Sequence, residues 1–467
     1  MNNTRRKFMK AAAAGGVAYA FGRTPGTVFA QSVGIGGFGD YKALVCVFLA
    51  GGNDSWNMVV PTSTAEYNAY SVSRGGDAGV GSGLAIPKAS LLPLNPLNTN
   101  LNGVTFGVHP SMPGMQTLFN SGRAAVVANV GPLIRPTTKV QYQTPGWELP
   151  PQLFSHNDQQ DQWHSLRGKS LLKSGWGGRV ADVLLPQTSS QQLPLAVSLA
   201  GQTLFEAGVN ARPYVMGSTG ATTFGGHGTS GVSLARRQAF QAVVDASLAS
   251  NTNTVYERSF ATVQQRAVQF ADSVNSALAG ARSFTALPDS GSTLTSLSTQ
   301  LRTVAKMISV RSALTMSRQI FFVQIGGFDT HDDQVAAQTN LLADISTSIK
   351  AFYDSLAEMS MEGNVTLFTH SDFGRTLTSN GDGSDHAWGG IQLVVGGAVR
   401  GSLIYGDYPL LQIGSPQEVG GGRFIPTVSA DQYAATLANW FGVMDSDLAQ
   451  VAPSINNFAV RNLGFLT

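Results

Sequence analysis

The sequence predicts a doubly wound α/β fold, a mostly parallel sheet with helices on both faces, and three observations carry the prediction. Runs 43–50, 320–325 and 365–369 are continuously apolar and rich in β-branched and aromatic residues, the signature of strands buried on both faces. Stretches with helical spacing separate them. Each run opens into a polar cluster carrying an acid, as expected of loops at the carboxyl edge of such a sheet, where ligands bind.

Further strands are expected at 124–130, 194–199, 391–395 and 402–405, where short apolar runs lie between turn residues. Helices are expected at 112–120, 177–185, much of 234–278, 292–316, 334–359 and 430–441. Residues 42–467 read as one α/β domain. It carries a loop rich in Gly, Ser and Thr at about 202–233, which contains His227, and a helical insertion at about 234–316.

Composition excludes several classes. At 43% hydrophobic the 467-residue chain has enough apolar surface for a core, so wholesale disorder is excluded. Charged residues are 12%, about half the usual share of roughly 25%, and no basic block suggests a nucleic-acid groove. The lone Cys46 excludes an intrachain disulfide and a cysteine zinc cluster, and its apolar setting reads as a buried strand thiol.

The N-terminus speaks to location. Arg5, Arg6, Lys7, Lys10 and Arg23 fall within residues 1–30, which hold no acid; without them the net charge of +2 becomes −3. Thr4-Arg5-Arg6-Lys7-Phe8-Met9-Lys10, a weakly apolar run and the small-residue pattern Val28-Phe29-Ala30 resemble a twin-arginine export signal. The expectation is cleavage near Ala30, a linker at 31–41, export through the twin-arginine translocase, and a periplasmic or secreted location. No run reaches the roughly 20 apolar residues of a membrane span.

Four clusters carry candidate chemistry. Asp54, after Gly51-Gly52 at a strand end, suits a metal ligand or a helix N-cap, with Ser55 adding a hydroxyl. In Phe328 to Gln334, Asp329 and His331 combine carboxylate and imidazole as a transition metal prefers, while Asp332 and Asp333 read as helix-start acids. Asp372, Asp385 and His386 form a third group, with Arg375 placed to clamp an anionic oxygen or to pair with an acid. Ser155, ahead of His156-Asn157-Asp158, reads equally as a helix N-cap or as a nucleophile at a helix start. His109 reads either as a site residue or as a structural histidine.

The segments Gly51 to Asn57, His109 to Pro113, Ser155 to Asp161, Gly327 to His331, Ser371 to Thr376, Asp385 to Gly389 and the tail from Arg423 to Trp440 resemble a family of twin-arginine-exported bacterial proteins of unknown function, placed in the alkaline phosphatase and sulfatase superfamily. The resemblance spans roughly residues 41 to 465. It implies an alkaline phosphatase-like fold in which a hydroxyl or thiol attacks phosphorus or sulfur beside one or two divalent ions. On it, Asp54, Asp329, His331, Asp372 and His386 look like metal ligands, and Ser155 looks like the nucleophile, with Ser55 as second choice. Where alkaline phosphatases place a histidine directly after the acid at the Asp372 position, this chain has Phe373. The sulfatase Cys/Ser-x-Pro-x-Arg signature is absent around Ser155.

The expected function is therefore a metal-dependent hydrolase of small-molecule or glycan esters of phosphate or sulfate. An oxygen-rich site built from Asp54 and Asp372 would favour Ca²⁺, Mg²⁺ or Mn²⁺, and Asp329, His331 and His386 would favour Zn²⁺ or Mn²⁺. The opposing expectation is a non-catalytic cell-envelope binding or scaffold protein on the same fold. A third, glycan binding, would rest on exposed Trp56, Trp147 and Trp163.

Overall fold

The computed structural model describes residues 37–98, 101–221, 228–250, 253–290 and 294–467. The expected export signal, residues 31–36 of the expected linker and His227 lie outside them. Fourteen strands are formed by the described residues, in chain order β1 (Lys42–Leu49), β2 (Val59–Pro61), β3 (Leu92–Leu94), β4 (Phe106–Val108), β5 (Ala124–Gly131), β6 (Ala196–Ser198), β7 (Tyr214–Val215), β8 (Arg318–Ile325), β9 (Val365–Ser371), β10 (Arg375–Ser379), β11 (Ser384–His386), β12 (Gly390–Val395), β13 (Ile404–Tyr405) and β14 (Val428–Ser429). Nine of them make the main sheet, in the order β13-β5-β12-β9-β1-β8-β6-β7, with β14 also paired to β5.

The sheet is mixed but mostly parallel, as the sequence predicts. β1 runs parallel to both β8 and β9, and β12 alone opposes its neighbours β5 and β9. Alternation within β1 explains its unbroken apolar run: Ala43, Val45, Val47 and Leu49 enter one core, and Leu44, Cys46 and Phe48 the other. Helices Pro113–Asn120, Ser296–Ser309 and Gln334–Ala357 cover the first face. His156–Ser165, Trp176–Thr188 and Ala430–Phe441 cover the second.

Two features differ from the sequence reading. A small sheet β2-β4-β3 has strands of three residues, too short for periodicity to reveal. Trp56 and Trp163 are core residues, 0% and 2% exposed, and Trp147 is half-buried, so a tryptophan glycan platform is not formed.

Several buried histidines make stability sensitive to acid. Burial pushes His109 and His164 down to about 4, and His370 well below its ordinary value. His109 is structural: its Nδ1 accepts the Ser111 N–H at 3.1 Å. Folded, these imidazoles stay neutral, whereas in the unfolded chain they protonate near pH 6.5. The unfolded state thus binds more protons below that pH, and stability that is fully present above about 6.5 is lost as the pH falls toward about 4. For His164 alone the loss is on the order of 3 kcal/mol, at about 1.36 kcal/mol per pH unit. The urea midpoint should fall steeply between pH 6.5 and 4.5; a flat midpoint over that window contradicts this.

Candidate metal centre

Parallel register brings the acid-bearing loops together. Leu49 pairs with both Ile325 and Ser371, so β1, β8 and β9 end at one edge. Directly beyond, Gly51 adopts φ +118°, and a Cβ there would stand 2.4 Å from the Asp329 backbone nitrogen. Only glycine lets the two loops approach this closely. The Gly51 N–H also donates to Asp372 Oδ1 at 3.1 Å. β10 and β11 pair antiparallel, with Arg375 opposite His386, and this hairpin carries Asp385 and His386 to the same edge. Gly383 in its turn packs where a Cβ would lie 2.1 Å from the His331 carbonyl oxygen.

Four side chains converge there. His156, Asp329 and His386 each offer one ligand atom, and these atoms all lie within 4.8 Å of one another. His156 Nε2 and His386 Nε2 are each 3.3 Å from Asp329 Oδ1. His331 Nε2 adds a fourth donor atom, 3.1 Å from Asp329 Oδ1 and 2.9 Å from His386 Nε2.

The outward contacts of the rings decide where their protons are. His156 Nδ1 meets Asp372 Oδ2 at 2.6 Å, His386 Nδ1 meets the Phe154 carbonyl oxygen at 2.8 Å, and His331 Nδ1 meets Asp385 Oδ1 at 3.3 Å. The outward partners of His156 and His386 are acceptors at short range, so in their neutral rings the proton sits on Nδ1 and Nε2 presents a lone pair inward, whereas His331 meets a carboxylate on both sides, Asp385 at 3.3 Å and Asp329 at 3.1 Å. The His156 and His386 nitrogens and a carboxylate oxygen then face one another, and His331 Nε2 meets His386 Nε2 in a hydrogen bond of 2.9 Å. His156 Nε2, shielded from solvent, has no hydrogen-bond partner. This donor set fits a divalent cation, and the partners behind the rings are those that orient metal-bound histidines.

Electrostatics supports the same reading. Desolvation opposes ionisation of Asp329, but the Arg375 hydrogen bond, with the neighbouring cationic and imidazole groups, outweighs it and holds its carboxyl below the ordinary range. The Asp372 hydrogen bond raises the His156 pKa against the pull of burial. Burial lowers that of His386, opposed by its bond to the Phe154 carbonyl. Phe373 packs against both rings, with centroids 4.8 Å from His156 and 4.7 Å from His386.

Other candidates fall elsewhere. Asp54 does not join the cluster: its side chain is fully buried and bound by Arg74 Nη2 at 2.5 and 2.7 Å and by Gln334 Nε2 at 2.5 Å. Ser55 is 1% exposed, and its Oγ accepts the Ile391 N–H at 2.8 Å, which ties it to β12. Arg375 is also buried, and all three of its nitrogens are engaged, by Ser384, by the Gly51 and Phe328 carbonyls and by Asp329. It braces Asp329 from the interior, with its guanidinium fully buried. Asp372 and Asp385 stand behind histidines rather than among the inward atoms. Ser155 begins the helix His156–Ser165 without capping it; its Oγ donates to Asp158 Oδ2 at 2.7 Å.

The sequence singles out the Ser155 segment as a helix cap or a nucleophile site, and His156 is not among its candidate ligands. The signal was present: His156 and Gln160 are one helical turn apart on one face, and both contact Asp372 Oδ2, Gln160 Nε2 at 2.9 Å.

Comparisons with known proteins add the family. No curated protein matches the chain. Among solved structures, one of Ps i-CgsB in complex with k-i-k-neocarrahexaose is 10% identical, covering 90% of this chain and 77% of that one, with a TM-score of 0.33. The C-terminal periplasmic domain of EcEptC from Escherichia coli, in complex with Zn, is also 10% identical, covering 77% of this chain and 74% of that one, with a TM-score of 0.27. At TM-scores this low, neither likeness establishes an activity. The sequence itself is decisive about kinship: residues 41–419 match the family described as "Protein of unknown function (DUF1501)", and the chain belongs to that family.

Proposed function

We propose that this protein is an exported, metal-dependent hydrolase of phosphate or sulfate esters, small-molecule or glycan, built around one divalent ion held by His156, Asp329 and His386, with His331 beside them. The observation that carries the reading is the convergence of His156, Asp329 and His386, with His331 against them, at the carboxyl edge of the sheet. An imidazole-rich set favours Zn²⁺ or Mn²⁺ over Ca²⁺ or Mg²⁺. Such an ion supplies Lewis acidity toward an ester oxygen and lowers the pKa of a bound hydroxyl or water.

The chain's own groups complete the site. Ser155 is the proposed nucleophile: its hydroxyl already donates to Asp158, which is placed to take the proton. The N–H groups of the helix start beside it favour developing negative charge. Asp372 and Gln160 fix the His156 ring, and Arg375 fixes Asp329. No helix among the described residues is long and apolar enough to cross a membrane.

Elemental analysis of the purified protein, followed by a screen of phosphate and sulfate esters, tests the reading. A stoichiometric metal with ester turnover lost in Ser155→Ala is expected. A protein that takes up no zinc would favour the envelope scaffold. Replacing Asp372 by Asn should weaken zinc affinity about 10–100-fold, the usual effect of losing a partner behind a ligating histidine. Unchanged affinity in a chelator competition would refute the role of Asp372.

A further inference from the structure

Phe154 occupies a backbone conformation that its side chain disfavours. Its φ is +73°, in the left-handed region where a bulky aromatic residue is a genuine outlier. Gln152, two residues earlier, is also left-handed at +48°. Such strain persists only where surrounding contacts impose it, and it concentrates at functional sites. Here the contacts are visible. The Arg423 guanidinium lies 5.0 Å from the Phe154 ring centroid. The same side chain donates from Nε to the His386 carbonyl oxygen at 3.0 Å. His386 Nδ1 in turn meets the Phe154 carbonyl oxygen at 2.8 Å. Phe154, Arg423 and His386 thus form a closed ring of contacts around the residue whose Nε2 faces Asp329.

We propose that Phe154 and Arg423 are positioning residues: the strained Phe154 backbone, held by Arg423, aims a carbonyl at His386 and locks that histidine in the tautomer that turns its Nε2 lone pair toward Asp329 and His331. A carbonyl oxygen can only accept, so Nδ1 must carry the proton. Free imidazole has no such constraint, and the neutral ring without this partner would distribute its proton between the two nitrogens. The strain buys orientation of one ring before any ligand arrives. A packing role alone would need neither the left-handed backbone nor the Arg423 Nε bond to His386, since the Phe154 ring already rests against the cluster of Leu133, Trp388, Ile425 and Phe458.

The inference rests on the metal reading only for its affinity arm, and the test separates the two. The experiment is ¹⁵N NMR of the His386 ring in metal-free full-length protein, together with zinc affinity by chelator competition, in wild type, Arg423→Met and Phe154→Leu. Arg423→Met keeps an apolar stem but removes both contacts. Phe154→Leu keeps Arg423 and replaces the aromatic ring, and serves if the first variant does not fold. The expected result is a wild-type His386 protonated at Nδ1, a shift of the proton toward Nε2 in the variants, and about tenfold or greater loss of zinc affinity. An Nδ1–H tautomer that changes in the variants while wild type binds no zinc would uphold the clamp and sink the metal centre. Tight zinc binding with tautomer and affinity unchanged in both variants would overturn the clamp and leave the metal centre standing.

Discussion

Replacement of His156 by Ala, or of Asp329 by Asn, is expected to abolish metal binding. The effect should exceed the roughly 10–100-fold that follows loss of an outer partner, because each change removes an inward donor itself. His156→Ala deletes the imidazole whose Nε2 has no other partner. Asp329→Asn keeps the shape but withdraws the negative charge that faces all three histidine nitrogens. The readout is thermodynamic as well as analytical. Zinc at a hundred times its dissociation constant should stabilise wild type by about 2.7 kcal/mol, and neither variant should be stabilised at that concentration. A variant that retains wild-type zinc affinity would remove that residue from the centre.

The second large effect concerns an acid held outside the histidine cluster. Asp54 and Arg74 have fully buried side chains and pair with each other, with Gln334 on the remaining carboxylate contact and Gln338 Nε2 on the Asp54 backbone oxygen at 2.5 Å. Replacing Arg74 by Met should cost about 3–5 kcal/mol, because it strands a carboxylate in the interior. Adding Asp54→Asn to Arg74→Met should recover part of the loss, since the uncompensated charge is then gone. Urea unfolding of the single and double variants measures both. If Arg74→Met unfolds at the wild-type midpoint, the pair is not what holds this corner together. Zinc affinity offers a second check: wild-type affinity in a folded Asp54→Asn protein is expected, and its loss would return Asp54 to the metal centre.

The fold was legible because its strongest signals are local. The runs that became β1, β8 and β9 are buried on both faces, so unbroken hydrophobicity marked them, and the acids after them identified the carboxyl edge. What spacing could not supply is which donors face inward. Asp54 follows a Gly-Gly turn as a ligand would, yet Arg74, 20 residues away in sequence, takes its charge. Arg375 carries the chemistry of an anion clamp, but the Gly51 and Phe328 carbonyls turn it into a brace. His156 sat at a helix start that reads as capping or as a nucleophile site, and the partner of its Nδ1 is Asp372, 216 residues later in sequence. The Phe154 carbonyl left no trace in the pattern, because a backbone acceptor has no residue type.

The central claim is that a cation sits among His156, Asp329 and His386. Crystals soaked in zinc, with diffraction recorded at the zinc absorption edge, test it most directly. The account predicts one anomalous peak bonded to His156 Nε2, Asp329 and His386 Nε2; no peak among those atoms, or a peak on Asp54 instead, would contradict it.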